Sequence, residues 1–305
     1  MTARVIVVGS VNMDLVATVD HMPAPGETVT GGRFAQHHGG KGGNQAVAAA
    51  RLGARTWFVG AVGADDHGAA SRAALEAEGV DVTELRTLPD QATGVALILV
   101  DARGENCIAV AGGANSALEP GHVRESLERL GPGAGDVVLV GHEIPTVTAT
   151  EALRYAKTVG ATTVFNAAPA TGVGPEALAH SDVLTPNVGE AAELAGHQDD
   201  PATPGRDLLA RIADGGHVLI TLGSRGAVLV GQDGPTSIPA PEVAVVDTVG
   251  AGDTLNGSFA AGLAAGLPVT EAARRAVVAA SLAVARPGAR EGMPTAEELE
   301  VALAG

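Results

Sequence analysis

After residue 120 the sequence alternates between short apolar runs and longer segments of helical periodicity, which leaves few possible architectures. Strands are predicted at 137–140, 163–165, 182–184, 218–222 and 227–230. Helices are predicted at 123–130, 147–159, near 177, and at 190–194, 206–213, 253–265, 270–285 and 296–303. This alternation is typical of a mostly parallel sheet covered by helices on both faces. The expected fold class is therefore α/β with three layers, α/β/α.

The first third of the chain contains β-prone segments that lie outside this alternation. Residues 15–34 are β-prone but are interrupted by prolines and a glycine, and 93–100 and 106–110 flank a turn. They predict a small β-sheet lid, inserted from about 15–35 and 93–110 into a single domain spanning 1–305. The other elements expected here are strands at 5–9 and 57–60, a helix that ends at 52, and a helix at 67–78.

Composition disfavours several kinds of partner. Of the 305 residues, 46% are hydrophobic but only 2% are aromatic, so the core must be built from Ala, Val and Leu, without stacking platforms for bases. A formal net charge of −16 argues against nucleic acid and anionic membranes as partners. The single cysteine, Cys107, permits no internal disulfide and indicates a reducing compartment. Since no apolar run reaches about 18 residues and no leader-like segment opens the chain, the expected location is the cytoplasm.

The stretch 247–257, Asp-Thr-Val-Gly-Ala-Gly-Asp-Thr-Leu-Asn-Gly, combines small residues with a carboxylate at the start of a predicted helix. Gly250, Ala251 and Gly252 allow backbone N–H groups to approach a ligand closely, and a helix N-terminus favours negative charge. Asp253 beside such an anion hole is suited to accept the proton of an alcohol that attacks phosphorus. The alternative is a helix-capping Asp after a glycine turn.

A second glycine-rich stretch, 39–45, reads Gly-Gly-Lys-Gly-Gly-Asn-Gln and is not a Walker motif. One hypothesis is a hinge whose backbone lies against a polyol, with Lys41 and Asn44 as donors. The alternative is a flexible turn that precedes a helix.

Asn12 and Asp14 are two residues apart and would face the same way in an extended segment, suited to adjacent hydroxyls. Their alternative is an Asx turn.

Polar residues also follow the predicted strands, where ligands bind in α/β sheets. They are Asn12, Glu143, Asn166, Asn187 and Thr221. Asn187 and Glu190 are candidates for Mg²⁺ waters and a phosphate oxygen, although Glu190 would also favour the dipole of its helix. The loop 221–226 is suited to nucleotide phosphates and ribose, or is a tight turn without a ligand. His142 has no metal-ligand spacing and is expected to be structural or exposed.

The stretch 39–45 resembles the first signature of the ribokinase (PfkB-type) family of carbohydrate kinases, and the stretch 247–257 resembles the second. Other segments share the resemblance: Gly9-Ser10-Val11-Asn12, Pro25-Gly26-Glu27-Thr28, Thr93-Gly94-Val95-Ala96, Asn166-Ala167-Ala168-Pro169-Ala170 and Thr185-Pro186-Asn187. It covers essentially the whole chain. It implies a ribokinase-like fold and ATP-dependent phosphorylation of D-ribose at the 5-hydroxyl, with ATP, Mg²⁺ and a monovalent cation such as K⁺.

The resemblance also implies roles for individual residues. Asp253 would be the base beside the anion hole of Gly250, Ala251 and Gly252. The sugar would be bound by Asn12, Met13, Asp14, Gly40, Lys41, Gly42, Gly43, Asn44, Glu143 and Asp253. The nucleotide site, with Glu190 organising Mg²⁺, would comprise Asn187, Glu190, Thr221, Leu222, Gly223, Ser224, Arg225, Gly226, Gly252 and Val277. The cation would be held at Asp247, Val249, Ala283, Arg286, Gly288 and Gly292.

Two positions depart from the family pattern. A cation-ligand position that is often Ser is Gly292 here, and the aliphatic Val277 stands where relatives pack a side chain on adenine. The resemblance also implies a lid that closes over the sugar and pairs in a homodimer. A kinase of the same family for deoxyribose, a ketose or a nucleoside such as adenosine remains an alternative, as does a non-catalytic sugar-binding protein. The ordinary Asp pKa of about 4 is expected for Asp253.

Overall fold

The computed structural model describes residues 3–197 and 200–304. Its strands are β1 (Arg4–Val8), β2 (Asn12–Thr18), β3 (Arg33–Gly39), β4 (Arg55–Gly63), β5 (Leu85–Leu88), β6 (Gly94–Val100), β7 (Asn106–Ala111), β8 (Val137–Gly141), β9 (Thr162–Asn166), β10 (Val183–Leu184), β11 (His217–Thr221), β12 (Ala227–Gly231) and β13 (Gly234–Ile238). Its α-helices are α1 (Lys41–Arg51), α2 (Asp66–Ala77), α3 (Pro120–Leu130), α4 (Thr146–Thr158), α5 (Pro175–Ala179), α6 (Val188–Ala195), α7 (Ala202–Leu209), α8 (Ala251–Ala264), α9 (Val269–Val284) and α10 (Ala296–Ala304).

Within those ranges, nine strands form a central sheet in the order β13-β12-β11-β10-β9-β8-β1-β4-β5. The seven strands from β11 to β5 are parallel, and β12 and β13 complete the sheet in antiparallel pairings. The predicted α/β class with a mostly parallel sheet is confirmed.

The central strands are buried on both faces, which explains their continuous apolar character. In β1, Val5 and Val7 belong to the core cluster that includes residues of α1, α8 and α9. Ile6 and Val8 belong to the cluster on the opposite face, with residues of α3, α4 and α7. Helices thus cover both faces of the sheet, as the expected three layers require.

Three elements differ from the sequence predictions. Strands β5 and β13 were not predicted from the sequence. Both are short strands at the edges of the sheet, and β13 (Gly-Pro-Thr-Ser-Ile) is mostly polar or exposed, so neither shows the apolar run of a central strand. Helix α7 begins before the predicted 206 and ends before 213. Its first turn contains Pro204, which is tolerated there because the first N–H groups of a helix lack intrahelical acceptors.

A second sheet has the order β3-β2-β6-β7. Strands β6 and β7 lie where small-sheet strands were predicted, whereas β2 begins before the predicted 15 and β3 extends beyond the predicted 35 to Gly39. Its register places Phe34 and Leu97 on one face, and Ile108 and Val110 on the other face together with Asp14. These four apolar side chains are all more than half exposed. The small sheet therefore presents apolar surface on both faces.

Strands β1, β8, β9, β10 and β11 are parallel neighbours, so their carboxyl ends lie at one edge of the sheet. This edge carries Asn12, Glu143, Asn166, Asn187 and Thr221. Within the described ranges, none of the helices combines the length and the apolar character that a membrane crossing requires.

Candidate active site

Asp253 lies in the first turn of α8 and faces the amino-terminal end of α1. Asn44 Nδ2 donates to one carboxylate oxygen of Asp253 at 2.9 Å, and Gln45 Nε2 donates to the other at 3.3 Å. Gln45 also donates to Asn166 Oδ1 at 2.9 Å, which ties the pair to the end of β9. The two glycine-rich motifs therefore meet at one carboxylate.

The pKa of Asp253 is raised to about 6, because burial of the carboxylate removes it from water. Lys41 and the hydrogen bond from Asn44 lower the pKa, whereas the negative charge of Glu143 raises it. The ordinary value of about 4 expected from the sequence is therefore wrong. A carboxyl group with this pKa is ionised at neutral pH and is a better proton acceptor than an exposed Asp.

The turn before α8 brings backbone N–H groups next to Asp253. Gly250 has a φ of 77° and is the N-cap of the helix, a left-handed conformation that favours glycine. A Cβ at Gly250 would lie 2.9 Å from the Cα of Ala289, so a side chain is also excluded by packing. The Ala251 N–H donates to the Thr248 carbonyl at 3.3 Å, whereas the N–H groups of Gly252 and Asp253 have no acceptor among the described residues and are available to an anion.

Gly252 has a different environment from Gly250. It is exposed, and a Cβ there would have no atom within 4 Å. Gly252 and Ala251 line a cavity of about 750 Å³. The protein's own packing therefore does not require glycine at position 252, and the residue is open to the cavity.

The glycine loop (39–45) packs tightly on the turn that follows β1. A Cβ at Gly40 would lie 2.7 Å from the backbone nitrogen of Asn12, and one at Gly42 would lie 2.6 Å from that of Ser10. The Gly43 N–H donates to the Ser10 carbonyl at 2.9 Å. Contacts between backbone segments thus explain these glycines, in addition to any ligand contact predicted from the sequence.

Glu143 connects the glycine loop to the end of β8. Its Oε2 accepts hydrogen bonds from Ser10 Oγ at 2.6 Å and from the Lys41 N–H at 3.0 Å. Lys41 Nζ lies 3.8 Å from Glu143 Oε1. Burial alone would lower the pKa of Lys41, but Asp253 and Glu143 raise it above its usual value. The Lys41 ammonium thus lies among the carboxylates of the site.

Asn12 and Asp14 lie on the same face of β2, whereas Met13 is buried on the opposite face. Asn12 Oδ1 accepts from Asn115 Nδ2 at 2.8 Å. Burial, followed by the negative charge of Glu143, raises the pKa of Asp14 to about 6. Asp14 is half-buried and has no hydrogen bond from the described side chains, so its carboxylate is available to ligand hydroxyls.

The cavity beside Gly252 extends to the loop after β11. Of the predicted nucleotide residues, the lining includes Thr221, Gly223, Ser224, Gly226, Gly252 and Val277. Leu222 and Arg225 of the same loop, and Asn187 and Glu190, are not among the residues that line the cavity. Most of the lining is apolar and it meets the first turn of α8, which suits a planar base at one end and phosphates at the other.

Asn187 and Glu190 form a reciprocal capping box at the start of α6. Asn187 Oδ1 accepts from the Glu190 N–H at 2.9 Å, and Glu190 Oε2 accepts from the Asn187 N–H at 2.8 Å. The alternative in which Glu190 stabilises the start of its own helix is therefore confirmed. Burial raises the pKa of Glu190, while Lys41 acts in the opposite direction. The Asn187 amide nitrogen and Glu190 Oε1 are not part of the box.

The residues predicted for a monovalent cation converge between the start of α8 and the end of α9. Asp247 accepts hydrogen bonds from the Val249 N–H at 3.0 Å and from the Gly288 N–H at 2.9 Å. A Cβ at Gly292 would lie 2.8 Å from the carbonyl oxygens of Ala283 and Gly288, and 3.4 Å from that of Arg286. The carbonyl oxygens of Ala283, Gly288 and Arg286 thus lie close together beside Gly292, and oxygen atoms are the ligands that hard cations prefer.

His142 is buried, as one of the two sequence alternatives expected. Its ring nitrogens bond the Pro169 carbonyl at 2.7 Å and Thr146 Oγ1 at 2.9 Å. Its role is structural. Among the described residues, no cluster of three His, Cys, Asp or Glu side chains is arranged to hold a metal ion.

A model of the pfkB family carbohydrate kinases matches residues 2–296. The chain belongs to this family. A ribokinase from Bacillus subtilis is 40% identical over 300 residues, which cover 98% of this chain and 99% of the relative. The mouse ribokinase is 35% identical over 308 residues, which cover 99% of this chain and 95% of the relative.

Solved structures of named ribokinases are also similar to this carbohydrate kinase. The Thermotoga maritima ribokinase has a TM-score of 0.91 and 33% identity, over 99% of this chain and 100% of that one. The Arabidopsis thaliana ribokinase complexed with ribose and ATP has a TM-score of 0.89 and 31% identity, over 100% of both chains.

Sequence reasoning did not identify every polar residue of this kinase site. Gln45 had a signal, since it adjoins Asn44 in the glycine loop. No sequence signal marked Asn115 or Arg290. Asn115 also accepts from the Val11 N–H at 3.0 Å, and Arg290 donates to Asn44 Oδ1 at 2.8 Å. Both lie outside the two glycine motifs and reach the site only through the tertiary fold.

Proposed function

We propose that this chain catalyses the ATP-dependent phosphorylation of D-ribose at the 5-hydroxyl, with Asp253 as the general base. The observation that carries the proposal is the Asp253 carboxylate, placed between the first turn of α8 and the glycine loop and held by Asn44 and Gln45. The family membership and the named ribokinase relatives support the substrate assignment. ATP as the donor favours the cytoplasmic location predicted from the sequence.

In this mechanism the ribose O5–H gives its proton to the Asp253 carboxylate as O5 attacks the γ-phosphorus of ATP. The new O5–P bond forms while the bond between the γ-phosphorus and the β–γ bridging oxygen breaks, and ADP leaves. The N–H groups at the start of α8 that have no protein acceptor, such as that of Gly252, would face the negative charge of the transferred group. The residues of β2 and the glycine loop hold the sugar hydroxyls, so positioning supplies much of the rate.

We assign the sugar site to Asn12, Asp14, Lys41, Asn44 and Glu143. The free carboxylate of Asp14 accepts from adjacent sugar hydroxyls, and Lys41 offsets the negative charge of the carboxylates around it. The small sheet is proposed to act as a lid, because β2 connects its apolar strands to the sugar site at Asn12. Closure of the lid would exclude water from the transferred phosphoryl group.

Mg²⁺ is assigned to the region of Glu190, whose Oε1 is not used in the capping box and whose charge is coupled to Lys41. Mg²⁺ would neutralise charge on the phosphates during transfer. Asn187 and the 221–226 loop would contact the nucleotide. Val277 would contribute an apolar surface to the base from the wall of the cavity.

The test is ATP-dependent ADP release with ribose, deoxyribose, fructose, adenosine and a no-sugar blank. Turnover with ribose well above the other acceptors is expected. Turnover with another acceptor would support the phosphoryl-transfer mechanism but would assign the chain to a kinase of the same family with a different substrate. If the folded protein releases ADP with none of them, the sugar-binding alternative replaces the proposal.

The pH profile tests the two raised pKa values. Because Asp253 and Asp14 both have a pKa raised to about 6 and act as carboxylates, kcat/KM for ribose should be flat above pH 7 and fall as the pH drops through 6. The fall should be steeper than tenfold per pH unit, since two groups take up protons in one window. Initial rates from pH 5 to 9 measure it. A fall of slope one that begins near pH 4 would contradict the raised values.

We propose that K⁺ binds among the carbonyls around Gly292 and supports the turn that precedes α8. Gly292→Ala would place a methyl group 2.8 Å from two of these oxygens, so K⁺ should no longer raise kcat or Tm. Gly174→Ala, at the N-cap of α5 with no atom within 4 Å of its Cβ, is the control. Thermal unfolding and turnover are compared in KCl and in tetramethylammonium chloride. A K⁺ response in Gly292→Ala equal to that of the wild type would exclude this site.

We propose a homodimer that forms through the small sheet. Its four exposed apolar side chains and its edge strands β3 and β7 offer surface for a second copy. A Phe34→Asp/Ile108→Asp variant, with one change on each face, should sediment as a monomer at micromolar concentration, where the wild type should be a dimer. Val301→Asp, at an exposed apolar residue of α10, is the control. A monomeric wild type, or a dimeric double variant, would contradict this interface.

A further inference from the structure

Arg290 is a buried cation whose hydrogen bonds go to the glycine loop. It lies between α9 and α10 and is only 6% exposed. Its Nε donates to Asn44 Oδ1 at 2.8 Å, and its Nη2 donates to the Gly39 carbonyl at 3.3 Å. Its Nη1 is buried without a partner among the described residues. Both acceptors lie in the loop assigned to the sugar.

Arg290 has no carboxylate partner at ion-pair distance within the described chain. Glu78, Asp253, Asp14 and Glu291 act on it only through longer-range electrostatics. A buried cation without a direct counter-charge is costly, and apolar side chains of similar volume often stabilise a fold better. Fold stability therefore does not account for an arginine at this position, whereas its two contacts with the glycine loop indicate a role in the site.

The Asn44 amide has two orientations, and Arg290 selects one of them. Because the arginine donates to Oδ1, the Nδ2 group of Asn44 faces Asp253 and donates to it at 2.9 Å. The flipped amide would direct its oxygen at the Asp253 carboxylate and its N–H₂ at the guanidinium, and both contacts would be repulsive. Arg290, Asn44 and Asp253 thus form one directed chain of hydrogen bonds.

The glycine loop leaves room for this arginine. A Cβ at Gly43 would lie 2.6 Å from Arg290 Nη2. The backbone around Arg290 is held independently, because Arg51 Nη1 donates to the carbonyl oxygens of Arg290 and Met293 while the Arg51 guanidinium pairs with Glu78. Because Arg51 holds this backbone segment, the Arg290 side chain is not needed to anchor it and can make its hydrogen bonds to the glycine loop.

We propose that Arg290 is a positioning residue of the phosphoryl transfer. By orienting the Asn44 amide it holds the Asp253 carboxylate, and by binding the Gly39 carbonyl it fixes the glycine loop against the segment between α9 and α10. The inference rests on the proposed function, since it takes Asp253 as the base. It adds a residue that acts through Asn44 and does not touch the reacting atoms.

A double-mutant cycle on kcat tests this role. Arg290→Met keeps the length of the side chain without its donors and is expected to lower kcat by about 10²-fold, the size of effect that misplaced reacting groups produce. Asn44→Ala should lower kcat comparably. If Arg290 acts mainly through Asn44, the loss of kcat in the double variant should be far smaller than the product of the two single losses. Losses that multiply, or an Arg290→Met variant with wild-type kcat, would overturn the proposal.

Arg51→Met is the control, because it loosens the same backbone segment without touching Asn44. Its loss should appear in Tm, and any effect on kcat should multiply with that of Asn44→Ala. Circular dichroism checks folding, and if Arg290→Met does not fold, Arg290→Lys takes its place in the cycle. The lysine keeps the charge but cannot reach both acceptors, so an intermediate kcat is expected, and a wild-type kcat would overturn the two-acceptor role.

Asp253→Asn, measured in the same assay, separates this inference from the proposed function. If Asp253→Asn has wild-type kcat, or if the wild type does not phosphorylate ribose, the proposed function fails. If Asp253→Asn is slow while the Arg290 and Asn44 losses multiply, only the positioning role fails.

Discussion

Asp253→Asn is expected to lower kcat for ribose by about 10²–10⁴-fold, the usual contribution of a general base. An amide of the same shape cannot take the proton of O5, so the chemical step slows. Asn44 and Gln45 donate to different oxygens of Asp253, so one of these hydrogen bonds can persist to the carbonyl oxygen of the new amide while the other is lost. The glycine loop keeps its other contacts, so KM for ribose should change little. Steady-state ADP release measures both constants.

The same substitution should leave the fold intact or stabilise it. Because the pKa of Asp253 is higher in the folded protein than its ordinary value, ionisation of this carboxyl opposes folding as the pH rises. At pH 8 the Tm of Asp253→Asn should equal or exceed that of the wild type. Asp66→Asn, which changes an exposed carboxylate in the first turn of α2, is the matched control for activity. A near-normal kcat in Asp253→Asn would remove Asp253 from the role of base.

Gly252→Ala is expected to lower kcat/KM by about 10²-fold while the protein becomes slightly more stable. A methyl group at position 252 meets no protein atom within 4 Å, but it enters the space beside the first-turn N–H groups of α8. Loss of one such donor contact costs roughly 10²–10³-fold in acyl-transfer enzymes. In a helix, Ala is favoured over Gly by about 1 kcal/mol, so activity and stability should change in opposite directions.

Gly121→Ala is the matched control for this prediction. Gly121 occupies the second position of α3, as Gly252 does in α8, and its Cβ would also meet no atom within 4 Å. Both variants should gain stability in thermal unfolding, and only Gly252→Ala should lose turnover. Full activity in Gly252→Ala would mean that the phosphoryl group does not approach this turn.

The large sheet was predictable because its central strands are buried on both faces and are therefore apolar throughout, as in Val137–Gly141. Strand β13 was not, since an edge strand with Pro235 and exposed polar residues lacks that pattern. The start of α7 was predicted too late, because a proline in the sequence usually indicates a break in a helix. Pro204 instead lies in the first turn of α7, where a proline is tolerated. Edges and helix ends depend on neighbours that periodicity does not reveal.

The candidate site was predictable where a short motif contains the residue and not where the fold supplies it. Asp253 and Asn44 each belong to a glycine-rich stretch, but only the structure shows that they bond one another. Arg290 lies 246 positions from Asn44 in the chain, and no local pattern marks it. The pKa of Asp253 departs from its ordinary value because of burial, which depends on the complete fold.

The central claim is that O5 of ribose receives the γ-phosphoryl group with Asp253 as the base. The most direct measurement is ³¹P and ¹³C NMR of the product formed from ribose and ATP by the wild type and by Asp253→Asn. A single product with phosphorus coupled to C5, formed at least about 10²-fold more slowly by the variant, is the predicted result. Phosphorus coupled to another carbon, or equal rates for the two proteins, would contradict the account.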